Sequence, residues 1–262
     1  MHFKPIFFLL LFGYLTSFGQ ILKKEIPDKM VVLTFDDAPA SHYSYVAPLL
    51  KEYGFGATFF VCEFPPNYKD TTLYMNWRQM KELHQMGFEI ANHTRTHANV
   101  AKLSKDSFFE ELSYIENTCD SLQINTPLNF AYPGYGLDDE VLNHLAEKNY
   151  RFARAGGKRT YNPLEDHPYL IPSWAPDATN EEEIMEAIKS AKNGHITVLT
   201  FHGVPDLEHP WVTVPEELFK KYMDFLKEKE YQVISLRKLE TYIDVQEAHQ
   251  KLKPDFSKRL KN

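Results

Sequence analysis

The chain has 262 residues, a formal net charge of −7, and 43% hydrophobic and 14% aromatic content. That length allows two small domains or one large α/β domain, and the composition supplies a sizeable core. The acidic balance argues against a basic nucleic-acid-binding face, and two cysteines, Cys62 and Cys119, are too few for a disulfide framework.

Residues 1–19 differ from the rest. Lys4 precedes an apolar run over 6–15, and Ser17 and Gly19 stand at the two positions a signal peptidase reads. This predicts a cleavable signal peptide cut after Gly19 and a secreted or periplasmic product. The apolar run is shorter than the roughly 20 residues a membrane span needs, so no stable membrane anchor is expected. The expected domain covers 20–248, followed by a polar tail over 249–262 that is loosely held.

From there strands and helices alternate. Apolar runs predict strands over 30–35, 57–61, 88–91, 128–132, 150–155, 196–201 and 232–235. Helical spacing predicts helices over 43–53 and 138–149. A third helix carries Trp77, Met80, Leu83 and Met86 and stops at Gly87. A fourth, capped by Ser104 or Ser107, turns Phe108, Leu112 and Ile115 inward. Asn180 is the expected cap of a helix with Glu181, Glu182 and Glu183 in its first turn, where carboxylates suit the helix dipole. Pro215 opens another helix, and 236–248 reads as the last. The stretch 156–177, rich in Pro and Gly, has no periodicity. Such alternation predicts a parallel sheet closed, or nearly closed, by outer helices. No repeat or linker marks a second domain.

On that reading Asp36, Asp37, His93, Pro133, Gly134, Trp174 and His202 all follow strand ends and share the C-terminal face of the sheet, where such folds keep their active sites. Two acids after a strand are, alone, more often turn formers. His93-x-x-x-His97 brings two imidazoles together, but it lacks the Glu of the zinc-protease helix, so a base must come from elsewhere. One carboxylate and two imidazoles can hold a Zn²⁺-like ion and leave a position for water, with the second carboxylate beside it. No Gly-x-Ser-x-Gly elbow and no phosphate-binding glycine loop is present.

Thr34-Phe35-Asp36-Asp37, His93-Thr94-Arg95-Thr96-His97 and Leu199-Thr200-Phe201-His202 resemble the first, second and last motifs of the NodB-type polysaccharide deacetylases, carbohydrate esterase family 4. The resemblance runs over roughly 30–248 and implies a single-domain α/β fold, a deformed (β/α)7-type barrel. It implies Asp37, His93 and His97 as metal ligands, Asp36 as base and His202 as general acid. It further implies Zn²⁺ (Co²⁺ or Ni²⁺ also suit such a site), a backbone N–H of Gly134 or Tyr135 for the oxyanion, and an acetylated glycan as substrate.

The third motif departs from the family pattern. Where an Arg-x-Pro-Tyr or Arg-x-Pro-Phe is usual, this chain has Ala131-Tyr132-Pro133-Gly134. Arg154, at the next strand end, is the candidate replacement for the missing base-tuning Arg. Trp174 is the candidate wall over the acetyl methyl, Asp166 or Asp177 the carboxylate behind His202, and Leu199 a further lining residue. Tyr132, Tyr135 and Trp211 are candidates for stacking on sugar rings, whereas His42 and His209 read as structural or loop residues. Two other readings share this sequence: an amidohydrolase of a small amide or imide, and a non-catalytic carbohydrate-binding protein. Oligomeric state is left open.

Overall fold

The apolar runs become seven strands: β1 (Met30–Phe35), β2 (Thr58–Val61), β3 (Glu89–Asn92), β4 (Asn129–Ala131), β5 (Phe152–Arg154), β6 (Thr197–Phe201) and β7 (Gln232–Ile234). The helices are α1 (Ala47–Tyr53), α2 (Trp77–Gln85), α3 (Lys105–Ser121), α4 (Asp139–Glu147), α5 (Glu181–Lys189), α6 (Glu216–Glu228) and α7 (Val245–Lys251). This computed structural model describes residues 20–258; the expected signal peptide, 1–19, lies outside them.

Every ladder is parallel, in the order β5-β4-β3-β2-β1-β6. β1 is buried at every residue. One of its edges is shared. β2 pairs with Thr34 and Phe35, and β7 pairs with Met30, Val31 and Val32. The chain entering β2 passes so close to β7 that a Cβ on Gly56 would lie 2.9 Å from the Ser235 nitrogen, a place for glycine alone.

The ring closes between β5 and β6 through the stretch with no periodicity. Ile171 bridges Arg154 and Trp174 bridges Leu199, both in parallel. Ala155 N–H donates to the Ile171 carbonyl at 2.7 Å, and Thr200 N–H to the Trp174 carbonyl at 2.8 Å. Pro172, which has no N–H, sits between the two bridges and prevents a regular ladder. A single-domain, deformed (β/α)7-type barrel results.

Side chains alternate across the strands. Val31, Leu33, Phe35, Phe59 and Leu199 pack outward in one core with residues of α1, α2, α5 and α6. Val32, Phe60, Ala91, Ala131, Phe152 and Val198 pack inward, with Leu236, Leu239 and Ile243 of the C-terminal segment. Each fully buried Val, Leu or Phe stabilises the fold by about 1.5–3 kcal/mol. Asp36, His93, Arg154 and His202 continue the inward register of Val32, Ala91, Phe152 and Val198, two or four residues further along. The same alternation that fills the barrel therefore points these four at its C-terminal mouth.

Local differences from the sequence reading have local causes. The expected helix over 236–248 is a 3-10 segment, Leu236–Thr241, followed by α7. The break falls where Ile243 bridges Leu22 and where the Asp244 side chain caps α7 by accepting from the Glu247 N–H. α7 crosses the expected domain end at 248, and His249 is held by its Nε2 on the Arg151 carbonyl at 2.9 Å. Asn180 stands at the N-cap of α5, as expected, but its side chain makes no capping bond. Its side chain accepts from the Asp177 N–H and donates to the Ala175 carbonyl. Cys62 and Cys119 are free and buried.

Candidate active site

β1 runs into the site through Asp36, whose N–H extends the ladder by donating to the Phe201 carbonyl at 2.9 Å. The strand then breaks sharply. Asp37 and Ala38 have φ of +70° and +56°, a left-handed pair that small or short side chains tolerate. The turn sets the Asp37 carboxylate beside that of Asp36. Both are buried, at 4% and 3% exposure.

The second segment is braced from outside. Asn92, fully buried, donates to the Leu112 carbonyl and the Tyr150 hydroxyl, and accepts the Thr94 N–H at 2.9 Å. Glu111 on α3 takes both the N–H and the hydroxyl of Thr96, at 2.7 and 2.8 Å. Thr94 and His97 sit in the left-handed region, at φ +61° and +54°. His93 and His97 are thereby held on one side of the turn, their ring centres 4.9 Å apart.

His93 Nδ1 meets the Ala131 carbonyl at 2.8 Å, which assigns the proton to Nδ1 and leaves the Nε2 lone pair facing the acids. That Nε2 lies 3.3 Å from Asp37 Oδ1, and His97 Nε2 lies 3.4 Å from the same oxygen. The Asp37 oxygen is buried without a hydrogen bond. An acceptor desolvated without a partner is costly, so three ligand atoms within 4.8 Å of one another ask for a cation between them. The charges agree. Burial opposes ionisation of Asp37, but His93, His202 and His97 together hold its carboxyl well below the usual range. Burial and repulsion from His93 push His97 down to about 4, so it is neutral and its lone pair is free at pH 7.

Asp36 has its own cation. Arg154, fully buried at the end of β5, donates Nη2 to Asp36 Oδ2 and lies 5.6 Å from the Phe60 and Tyr135 ring centres. The arginine that pairs with Asp36 thus comes from the end of β5, on the inward register. His202 completes the mouth, its Nε2 3.9 Å from Asp37 Oδ2. Its backbone carbonyl accepts from His42 Nε2 at 2.8 Å. Burial pushes His42 down to about 4, so it stays a neutral donor behind His202.

A cavity of about 190 Å³ is lined by Asp36, Asp37, His93, His97, Tyr132, Gly134, Tyr135 and His202. Four further lining residues are Phe64, His209, Trp211 and Val212. Phe64 and Val212 carry no signal in the sequence, and His209 reads there as a loop residue. Its place depends on buried Asp206, which accepts the His209 N–H at 2.7 Å.

Four expectations fail. Trp174 does not line the cavity; its backbone closes the barrel and its ring belongs to the outer core, as does Leu199. Neither Asp166 nor Asp177 backs His202. Asp166 pairs with Arg159 and Lys258, Asp177 turns onto Thr179, and His202 Nδ1 has no partner among the described residues. Tyr132 is buried, its hydroxyl spent on the Tyr169 carbonyl, so it offers no face for stacking.

Comparison with known proteins gives a concordant result. The polysaccharide deacetylase family matches over residues 23–153. A chitin deacetylase of Arthroderma benhamiae is 23% identical over 223 residues, 84% of this chain and 54% of the relative. A peptidoglycan-N-acetylglucosamine deacetylase of Bacillus cereus is 29% identical over 145 residues, 53% of this chain and 48% of the relative. This chain thus spans about half the length of these curated relatives. Among solved structures, a carbohydrate esterase family 4 pseudoenzyme of Bacillus anthracis superposes with a TM-score of 0.55 at 20% identity, covering 82% of this chain and 66% of that one. Likeness to it shows the barrel and leaves catalysis to be argued from the side chains. The family match over half the chain and the shared barrel agree, and this chain belongs to the polysaccharide deacetylase family.

Proposed function

We propose that this chain is a metal-dependent hydrolase that removes N-acetyl groups from a glycan outside the cell. The observation that carries the reading is the Asp37 oxygen, buried without a hydrogen bond between two imidazole nitrogens. Asp37, His93 and His97 would hold the cation, with Zn²⁺ preferred for this donor set and Co²⁺ or Ni²⁺ acceptable. When bound, the ion supplies Lewis-acid polarisation of the acetyl carbonyl and acidifies a water.

The remaining work falls to the chain's own groups. Asp36, steadied by Arg154, accepts a proton from the attacking water as its oxygen bonds to the acetyl carbon. The carbonyl oxygen takes the charge and needs a donor. Tyr135 N–H already donates to the Tyr132 carbonyl at 3.0 Å, which leaves Gly134 N–H for that purpose. His202, protonated on the ring, gives its proton to the nitrogen as the C–N bond breaks, so the products are acetate and a free amine. The expected signal peptide would carry the chain to where glycans lie.

The test is acetate release from chitin oligomers, peptidoglycan, β-1,6-linked N-acetylglucosamine and acetylated xylan. Acetate from at least one N-acetylated glycan, abolished by chelation and restored by Zn²⁺, is expected. Bound metal with no acetate from any glycan would favour the small-amide alternative, and no bound metal would favour the non-catalytic one.

A further inference from the structure

Among the cavity's aromatic residues one is out of place by ordinary packing rules. Trp211 is 72% exposed, yet it lines the cavity that holds the acids and imidazoles. A single exposed apolar side chain is normal on a surface. This one is different because its loop is built to hold it there.

The loop follows His202 and doubles back at Gly203, where a Cβ would lie 2.4 Å from the Asp206 Cα. Asp206, 5% exposed, accepts the N–H groups of Gly203, Glu208 and His209 at 3.2, 3.1 and 2.7 Å. Its own N–H donates to the Thr213 hydroxyl at 2.8 Å, and Val204 N–H donates to the Ser41 hydroxyl. Asn67, from the loop after β2, ties in Glu208 at 3.0 Å. A buried carboxylate accepting three backbone N–H groups makes a stiff loop, so the backbone that carries the indole is ordered before any ligand arrives.

An unbroken aromatic path joins that indole to the metal triad. Phe64 lies 4.7 Å from the His97 ring and 4.9 Å from His209, and His209 meets Trp211 edge-on at 5.3 Å. The cavity of about 190 Å³ suits an acetamido group and little more. The sugars on either side of the reacting unit must then lie on the rim, where the exposed indole stands.

We propose that Trp211 is a specificity-determining platform that stacks on a neighbouring ring of the glycan. The favoured occupant is an unbranched chain of gluco-configured pyranoses. Their ring substituents are equatorial, so each ring face is an apolar surface of axial C–H bonds that fits an aromatic plane. An anionic membrane surface is a poorer occupant for a chain of net charge −7. The inference rests on the deacetylase reading for its substrate, but its test does not need turnover.

In an Asp36→Asn background, which prevents conversion, calorimetric affinity is measured for N-acetylglucosamine and for its β-1,4-linked tetramer. Trp211→Ala should weaken tetramer binding about 10-fold, leave the monosaccharide unchanged, and be largely rescued by Trp211→Phe. A tetramer affinity unaffected by Trp211→Ala overturns the proposal, as does equal loss for both ligands or no tetramer binding by the Asp36→Asn parent. Trp211-dependent tetramer binding by a chain that releases no acetate from any glycan would sink the deacetylase reading and leave this one standing.

Discussion

Asp36→Asn is expected to lower kcat about 10³-fold while metal affinity changes by only a few-fold. The amide keeps the shape of the side chain and removes its ability to take a proton. Asp36 is not one of the three groups whose ligand atoms converge, so the candidate ligands stay intact. The measurement is steady-state acetate release beside a metal titration of the same preparation. If the variant keeps most of its activity, Asp36 is not the base. If it loses metal as well, Asp36 belongs to the ligand set.

The substitution also leaves Arg154 without its anion, which leads to the second large effect. Arg154 is 0% exposed, and Nη2 on Asp36 is its one ion pair among the described residues. Its Nε and Nη1 make no hydrogen bond there. Breaking a buried pair by removing one partner costs roughly 3–5 kcal/mol, because a charge is stranded in low dielectric. Arg154→Met should therefore destabilise the metal-free chain by about that amount and lower kcat about 10²-fold. The double variant Asp36→Asn/Arg154→Met should regain much of the lost stability, since neither charge is left buried, but none of the activity. Arg154→Lys keeps the charge without the planar fork, so it should restore stability better than rate. Denaturant unfolding should be done without metal, because an ion that binds only the folded chain would mask the difference. Additive single-variant losses would mean that the two groups do not act as a pair.

How much of this was legible depends on whether a residue sits on a periodic element. Asp36, His93 and His202 follow apolar runs at positions that alternation turns inward, so sequence and structure agree on where they point. Arg154 was legible only as a strand-end candidate for the missing arginine; its inward direction, two places after Phe152, comes from the structure. Trp174 and the stretch around it were not. A strand replaced by isolated bridges around Pro172 leaves no alternation to read, and the bridge partners Arg154 and Leu199 lie far from it in sequence. The cavity's other wall was hidden differently. His209 and Trp211 are placed by a buried carboxylate three to five residues earlier, and Asp206 in a loop reads like any turn former. Phe64 reaches the site from the loop after β2, with nothing nearby in the chain to announce it.

Two imidazoles and one buried carboxylate oxygen are expected to grip a cation. Titration of chelator-treated protein with Zn²⁺, followed by metal content after gel filtration, tests this most directly. One equivalent is expected to be retained by the unaltered chain and none by His93→Ala or His97→Ala. Failure of the unaltered chain to retain an ion, or undiminished retention by both histidine variants, would contradict it.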